Sequence, residues 1–136
     1  MPPKIIKKIG IIVFKDKKIL MARSNKNADV FYFPGGKFET GESDIDCLQR
    51  ESKEELGTTA KPESIKFLSE FEDVAHGKET DVKLNIKLYE CELVSEPEAS
   101  SEIEEIKYFD SSVDPKHLDI IGGKIFSWLK ENNYIN

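Results

Sequence analysis

The chain has 136 residues, of which 38% are hydrophobic and 34% charged, with a net charge of −6 at pH 7. That is the length of one domain, with enough apolar residues for a core and too few for a membrane protein. The acidic balance argues against a binder of nucleic-acid backbones, which needs a basic face, yet leaves a nucleotide open as a small ligand, because a bound metal ion reverses the local field.

Lys4, Lys7 and Lys8 precede an apolar run at residues 9–14, a pattern that signal peptides share. The run is short, stops at the polar residues 15–18 and is followed by no small-residue cleavage site. It reads as a first strand of a soluble, cytoplasmic protein, rich in β-branched residues and buried on both faces. Cys47 and Cys91 fit free thiols in a reducing compartment, not a disulfide framework. After the polar turn, residues 19–22 read as a second strand that closes a hairpin, and residues 24–28 as a polar loop. Residues 30–33 read as a short aromatic strand ended by Pro34-Gly35-Gly36, and residues 36–42 as a loop.

Residues 43–56 are the best helix in the sequence. Ser43 and Asp46 make a capping box, Asp44 adds negative charge to the first turn, and Gly57 stops the helix. Two extended segments follow, at about 64–73 and 80–93, joined by a turn at His76-Gly77-Lys78. In the second, Val82, Leu84, Ile86 and Leu88 alternate with Lys83, Asn85, Lys87 and Tyr89, the pattern of a strand with one buried face. Residues 94–101 form a polar loop, residues 103–109 a further strand and residues 120–133 a second helix, with Ile121, Ile125, Trp128 and Leu129 on one stripe. No internal repeat or low-complexity linker interrupts the order, so residues 1–136 read as a single α+β layered domain.

Drawn at 100° per residue, the first helix puts Ile45, Leu48, Ser52 and Leu56 on one core-facing arc and Glu51, Glu54 and Glu55 on the arc beside it. Like charges at helical spacing repel. Such a cluster at the rim of a core is tolerable if it holds a divalent cation, and all-oxygen ligands favour Mg²⁺ or Mn²⁺ over zinc. Gly35 and Gly36 let the backbone approach a ligand where the chain leaves a strand. Arg50 can pair with a loop carboxylate and fix loop against helix. Each piece has a bland reading: a solvated acidic face, an ordinary tight turn, a surface ion pair.

Taken together they are specific. Gly36, Glu42, Arg50, Glu51, Glu54, Glu55 and Gly57 stand at the spacing of the Nudix box, and the chain resembles the Nudix hydrolase family at all seven fixed positions. Ser52 and Thr58 depart from it, standing where that family prefers aliphatic residues. The sequence from Phe33 to Glu42 and the preceding Ile19-Leu20-Met21-Ala22-Arg23 are similar to MutT-type members, and Tyr108-Phe109 falls near the family's usual tryptophan. The resemblance implies the Nudix fold, an α/β/α sandwich with a mixed β-sheet. It implies a hydrolase that cleaves the diphosphate linkage of nucleoside diphosphate derivatives, with Mg²⁺ or Mn²⁺ as cofactor.

On that resemblance Glu51, Glu54 and Glu55 hold the metal, with the Gly35 carbonyl as a further ligand. Arg50 orients a neighbouring carboxylate. The general base differs among members, so Glu51 and Glu54 are candidates on the helix and Glu102 and Glu105 on the late segment. Arg23, Phe31, Phe33, Lys37 and Asp119 are candidate substrate contacts, against the plainer readings of a strand-end arginine, core aromatics and a helix cap at Asp119. His76 and His117 read as loop residues. The compact domain suits one base, one sugar and a short phosphate chain. A nucleoside triphosphate, canonical or oxidised, cleaved to monophosphate and pyrophosphate is the favoured substrate. The alternatives are ADP-ribose or a nucleotide sugar and, in another class, a non-catalytic nucleotide-sensing module. The partner expected is a small-molecule nucleotide, with no nucleic acid and no membrane. The sequence sets no oligomeric state.

Overall fold

A computed structural model of the chain describes residues 4–26, 29–74 and 82–136. The turn expected at His76-Gly77-Lys78 lies outside these residues. Strands β1 (Lys4–Ile12), β4 (Gly35–Lys37), β5 (Lys66–Val74) and β6 (Val82–Glu90) form one sheet in the order β4-β1-β6-β5. It is mixed: β1 runs parallel to β6, while β4 and β5 are antiparallel to their neighbours. Strands β2 (Phe14–Lys15), β3 (Lys18–Ser24) and β7 (Ile103–Phe109) form a second, antiparallel sheet. Helix α1 (Asp44–Leu56) covers one face of the sheets and helix α2 (Ile120–Glu131) the other.

Strand alternation creates the two cores. Ile9 and Ile11 of β1 pack with Leu48 and Leu56 under α1, whereas Ile12 joins Ile86, Leu88, Ile125 and Leu129 under α2. The α/β/α sandwich with its mixed sheet agrees with the expected fold. No helix among the described residues is long and apolar enough to cross a membrane.

Three local expectations are corrected. The run 9–14 is not one strand: the chain leaves the first sheet at Ile12 and enters the second at Phe14. Only Phe14 and Lys15 pair with Ile19 and Lys18. The hairpin between them turns through Asp16 and Lys17, both at positive φ, as a two-residue loop of the primed type requires. Residues 30–33 form no strand. Tyr32 bridges Ala22, whereas the Phe31 amide donates to the His117 carbonyl at 2.8 Å, so the segment divides its hydrogen bonds between two neighbours. Conversely, Gly35–Lys37, expected as turn and loop, is a strand paired with residues 8–10 of β1.

Helix α1 starts as expected: the Asp46 amide donates to Ser43 Oγ at 3.1 Å, and Gly57 in the left-handed region closes the end. Its buried set differs by three residues, one of them Glu51, which the wheel puts on the neighbouring arc and which is 8% exposed. Ile45 shares the arc of Ser52 and Leu56 but sits in the first turn, past the end of the core, and is 42% exposed. Cys47 is fully buried instead, beneath the segment carrying Gly36 and Lys37. Cys47 and Cys91 are free thiols, each pushed up to about 12 by burial, and so are inert.

The two departures from the box have different fates. Thr58 Oγ1 accepts from the amide and the hydroxyl of Ser95 at 3.2 and 2.7 Å, so its polarity is used. Ser52 is fully buried and its hydroxyl has no hydrogen-bond partner. An unsatisfied buried hydroxyl costs about 1–3 kcal/mol, and alanine is the better helix former. Ser52→Ala is expected to stabilise the protein by about 1 kcal/mol and raise Tm by several degrees. An unchanged or lower Tm by calorimetry contradicts this.

Candidate active site

The site is built where β4 meets the middle of α1. Gly35 sits at φ 137°, and a side chain there would overlap the Ile9 carbonyl oxygen. A Cβ on Gly36 would lie 2.8 Å from the Glu51 carboxylate. The glycine pair therefore lets β4 lie against β1 on one side and against the helix carboxylates on the other. The Gly35 amide donates to Glu55 Oε1 at 2.9 Å.

Arg50 ties the loop to the helix. Its Nε and Nη2 donate to the two oxygens of Glu42 at 2.6 and 2.9 Å, a bidentate pair. Nη2 also donates to the Lys37 carbonyl at 3.0 Å, and Nη1 to Glu51 at 2.8 Å and Glu54 at 3.3 Å. Hydrogen bonds from Arg50, then the Glu39 amide, hold Glu42 down at about 2.

The helix glutamates feel the opposite pressure. Burial raises Glu51 above the usual carboxylate range, against the Arg50 bond. Burial pushes Glu55 up to about 7, with repulsion from Glu51 and Glu54 acting in the same direction and the Gly35 amide opposing it. Among the described residues no three of the metal-binding residue types already converge into a closed cation cage, and Arg50 bridges Glu51 and Glu54. The donor chemistry nonetheless fits a hard divalent cation: Glu51, Glu54 and Glu55 line one cavity, and the carboxylates of Glu51 and Glu55 carry a burial and repulsion cost that a cation would offset.

That cost has a pH signature in the metal-free protein. The folded chain holds the Glu55 proton up to about 7, whereas the unfolded chain releases it near 4.5. The stability is fully present below about 4.5 and is lost as pH rises through about 7, by on the order of 3 kcal/mol. Denaturant unfolding in EDTA between these pH values should show the fall, and Glu55→Gln should flatten it. An equal slope in the variant would assign the effect elsewhere.

Two cavities meet at Gly35, Gly36 and Glu55. The outer, of about 440 Å³, carries Arg50, the three helix glutamates, Lys37 and Glu102. The inner, of about 160 Å³, is walled by Phe31, Phe33, Leu84 and Ile86, with Lys8 and Asp119 among its polar groups. Of the candidate residues, the fold brings Glu51, Glu54, Glu55, Arg50, Lys37, Gly35, Gly36 and Glu102 to the outer cavity. It brings Phe31, Phe33 and Asp119 to the inner one. Phe31 and Phe33 are both core and cavity wall, at 5% and 9% exposure. Asp119 caps α2 through Gly122 N–H at 2.8 Å and borders the cavity as well.

Arg23 and Glu105 are brought together elsewhere. They face each other across β3 and β7 and pair at 3.2 Å, and neither lines the two cavities. Three residues had no signal as site residues in the sequence. Lys8 sits in a run of lysines, and only the strand register turns it into the cavity. Ser24 ends β3 at the cavity edge. His117, read as a loop residue, donates from Nδ1 to the Asp29 carbonyl at 2.6 Å and packs its ring on Phe31 and Phe109, bracing the aromatic wall.

An α/β/α sandwich with glycine-backed carboxylates on one helix, clamped by an arginine, is the arrangement of a Nudix hydrolase domain. The NUDIX domain model matches residues 5–129, and the chain belongs to this family, whose hydrolases act on nucleoside diphosphate derivatives. The m7GpppN-mRNA hydrolase of Saccharomyces cerevisiae (strain ATCC 204508 / S288c) is 32% identical over 109 residues, covering 74% of this chain and 10% of that protein. The chain thus spans about a tenth of the length of the curated relatives it matches. A putative nudix hydrolase family member from Chromobacterium violaceum superposes with a TM-score of 0.73 at 24% identity, over 96% of this chain and 80% of that one. A NUDIX hydrolase from Nitrosomonas europaea gives 0.76 at 16% identity, over 97% and 93%. These two likenesses are of fold.

Proposed function

We propose that the protein is a Mg²⁺-dependent pyrophosphohydrolase that cleaves a nucleoside triphosphate, canonical or oxidised, to monophosphate and pyrophosphate. The observation that carries this reading is the junction of the two cavities. A small, largely apolar cavity with aromatic walls shares Gly35, Gly36 and Glu55 with the lining of the carboxylate cavity. One base fits the first and a short phosphate chain reaches the second.

Glu51, Glu54 and Glu55 would hold the cation, with the Gly35 carbonyl as a further donor. Mn²⁺ suits the same oxygen donors. The ion supplies charge neutralisation on the phosphoryl oxygens and a more acidic bound water. Arg50 keeps Glu51 and Glu54 in place. Lys37 offers a cation to the phosphate chain from the outer cavity. Glu102, which lines the same cavity, is the better placed late-segment candidate for the general base, because Glu105 is engaged by Arg23.

The yeast relative supports a second reading, hydrolysis of a capped nucleotide of the m7GpppN type. One panel separates them: nucleoside triphosphates, ADP-ribose, a nucleotide sugar and m7GpppG, each with Mg²⁺ and with EDTA. The expected result is monophosphate release from a triphosphate, abolished by EDTA and restored by Mg²⁺ or Mn²⁺. Far higher kcat/KM for ADP-ribose, a nucleotide sugar or m7GpppG would refute the substrate. Undiminished turnover in EDTA would refute the metal. No turnover of any member would favour a nucleotide-sensing module.

A further inference from the structure

The last turn of α1 is completed by a loop from much later in the chain. A helix leaves the carbonyls of its final turn without internal partners. Here the Ser100 amide donates to the Glu55 carbonyl at 3.1 Å, and the Glu98 amide to the Leu56 carbonyl at 2.9 Å. Past the helix end, the Val94 amide donates to the Thr59 carbonyl at 2.8 Å. Between these bonds, Thr58 Oγ1 accepts from the amide and the hydroxyl of Ser95. Residues 94–100 thus run antiparallel to residues 55–59, and Thr58, only 4% exposed, adds a side-chain rung to the main-chain ladder. After the last rung the chain turns sharply. Ser101 sits at φ 57°, and the Ile103 amide closes onto the Ser100 carbonyl at 3.0 Å. That turn brings Ser101 and Glu102 to the outer cavity. A residue held at positive φ without being glycine persists only where its surroundings fix it.

We propose that Thr58 is a positioning residue for hydrolysis: its hydroxyl sets the late loop in register with α1 and so places Glu102 against the carboxylates of Glu51, Glu54 and Glu55. The proposal rests on the hydrolase reading above, with Glu102 as general base. Glu55 takes part on both sides, its side chain in the cluster and its carbonyl as a rung. Base and cluster therefore belong to one hydrogen-bonded unit. Three of its rungs are main-chain bonds, which fix direction whatever the side chains are. The bonds to Thr58 depend on a side-chain acceptor. Valine fills nearly the same space without that acceptor, and Ser95, which is exposed, would then turn to water. The start of the loop would be free to slide along the helix end, and Glu102 with it.

A double-mutant cycle with Glu102→Gln tests this, read by steady-state kinetics on the nucleotide that the unaltered chain hydrolyses best, with the fold checked by circular dichroism. Glu102→Gln alone should lower kcat at least ~10²-fold, as loss of a general base does. Thr58→Val should lower kcat about tenfold with KM unchanged, less than the ~10²-fold cost of a 1 Å displacement because the main-chain rungs remain. Combined with Glu102→Gln it should cost nothing further. Thr58→Ser, which keeps the acceptor, should restore kcat. Amide exchange in the metal-free chain reads the tie without turnover: the Ser95, Glu98 and Ser100 amides should exchange faster in Thr58→Val, while the interior of α1 is unaffected. Unaltered exchange or unaltered kcat in Thr58→Val, or a loss fully additive with that of Glu102→Gln, would overturn the proposal. Normal turnover in Glu102→Gln would overturn it too and leave the hydrolase reading standing. No turnover of any nucleotide by the unaltered chain defeats the hydrolase reading itself, and the positioning role with it.

Discussion

Replacing Glu54 or Glu55 by glutamine is expected to lower kcat at least ~10²-fold, the lower end for removing a group that stabilises transition-state charge. Glutamine keeps the shape and one oxygen acceptor, so the Gly35 amide retains its bond at position 55. What is lost is the negative charge that would hold the cation. The Glu54 side chain is 52% exposed, so its replacement leaves the core untouched. Circular dichroism and Tm should show a folded protein, with Glu55→Gln no less stable near neutral pH, since it removes a buried charge. If both variants turn over at near-normal rates while folded, the glutamates are a solvated acidic face and the metal assignment fails.

Arg50→Lys should have a comparable effect by a different route. The guanidinium serves five acceptor oxygens at once: both of Glu42, the Lys37 carbonyl, Glu51 and Glu54. An ammonium is a point charge without the planar fork and cannot span them. The loop that carries Glu39 and Glu42 would then lose its tie to α1, and Glu51 would face Glu54 without the bridge between them. Displacements near 1 Å at a reacting centre cost about 10²-fold, which is the loss expected in kcat/KM. Tm should fall as well, because Glu42 loses the bonds that hold it ionised to about 2. Activity within threefold of the unaltered enzyme would show that the clamp does not position the carboxylates.

Helix α1 could be read directly because its information is local. Ser43 caps an amide three residues on, Gly57 closes the end, and a 3.6-residue period places the glutamates on one side. That Arg50 would pair with a loop carboxylate was legible for the same reason, and the structure shows the partner to be Glu42. Spacing therefore put the three glutamates on one arc beside the core-facing one, and the resemblance carried by the box residues pointed to the family that the domain match shows. What spacing could not decide was pairing between distant segments. Whether residues 9–14 stay in one sheet, and whether Gly35–Lys37 is turn or strand, depends on which backbone edges meet. Side-chain fates followed from those choices. Register with β4 and β6 turned Lys8 into the inner cavity, register between β3 and β7 joined Arg23 to Glu105, and the limit of the core left Ile45 in solvent. A strand's period of two leaves two faces open, and only the layers packed against it choose between them. The sequence by itself determined which carboxylates share one side of the helix; the tertiary structure decided which residues wall the cavity beside it, because those come from β1, β6, residues 31–33 and α2, which only long-range packing brings together.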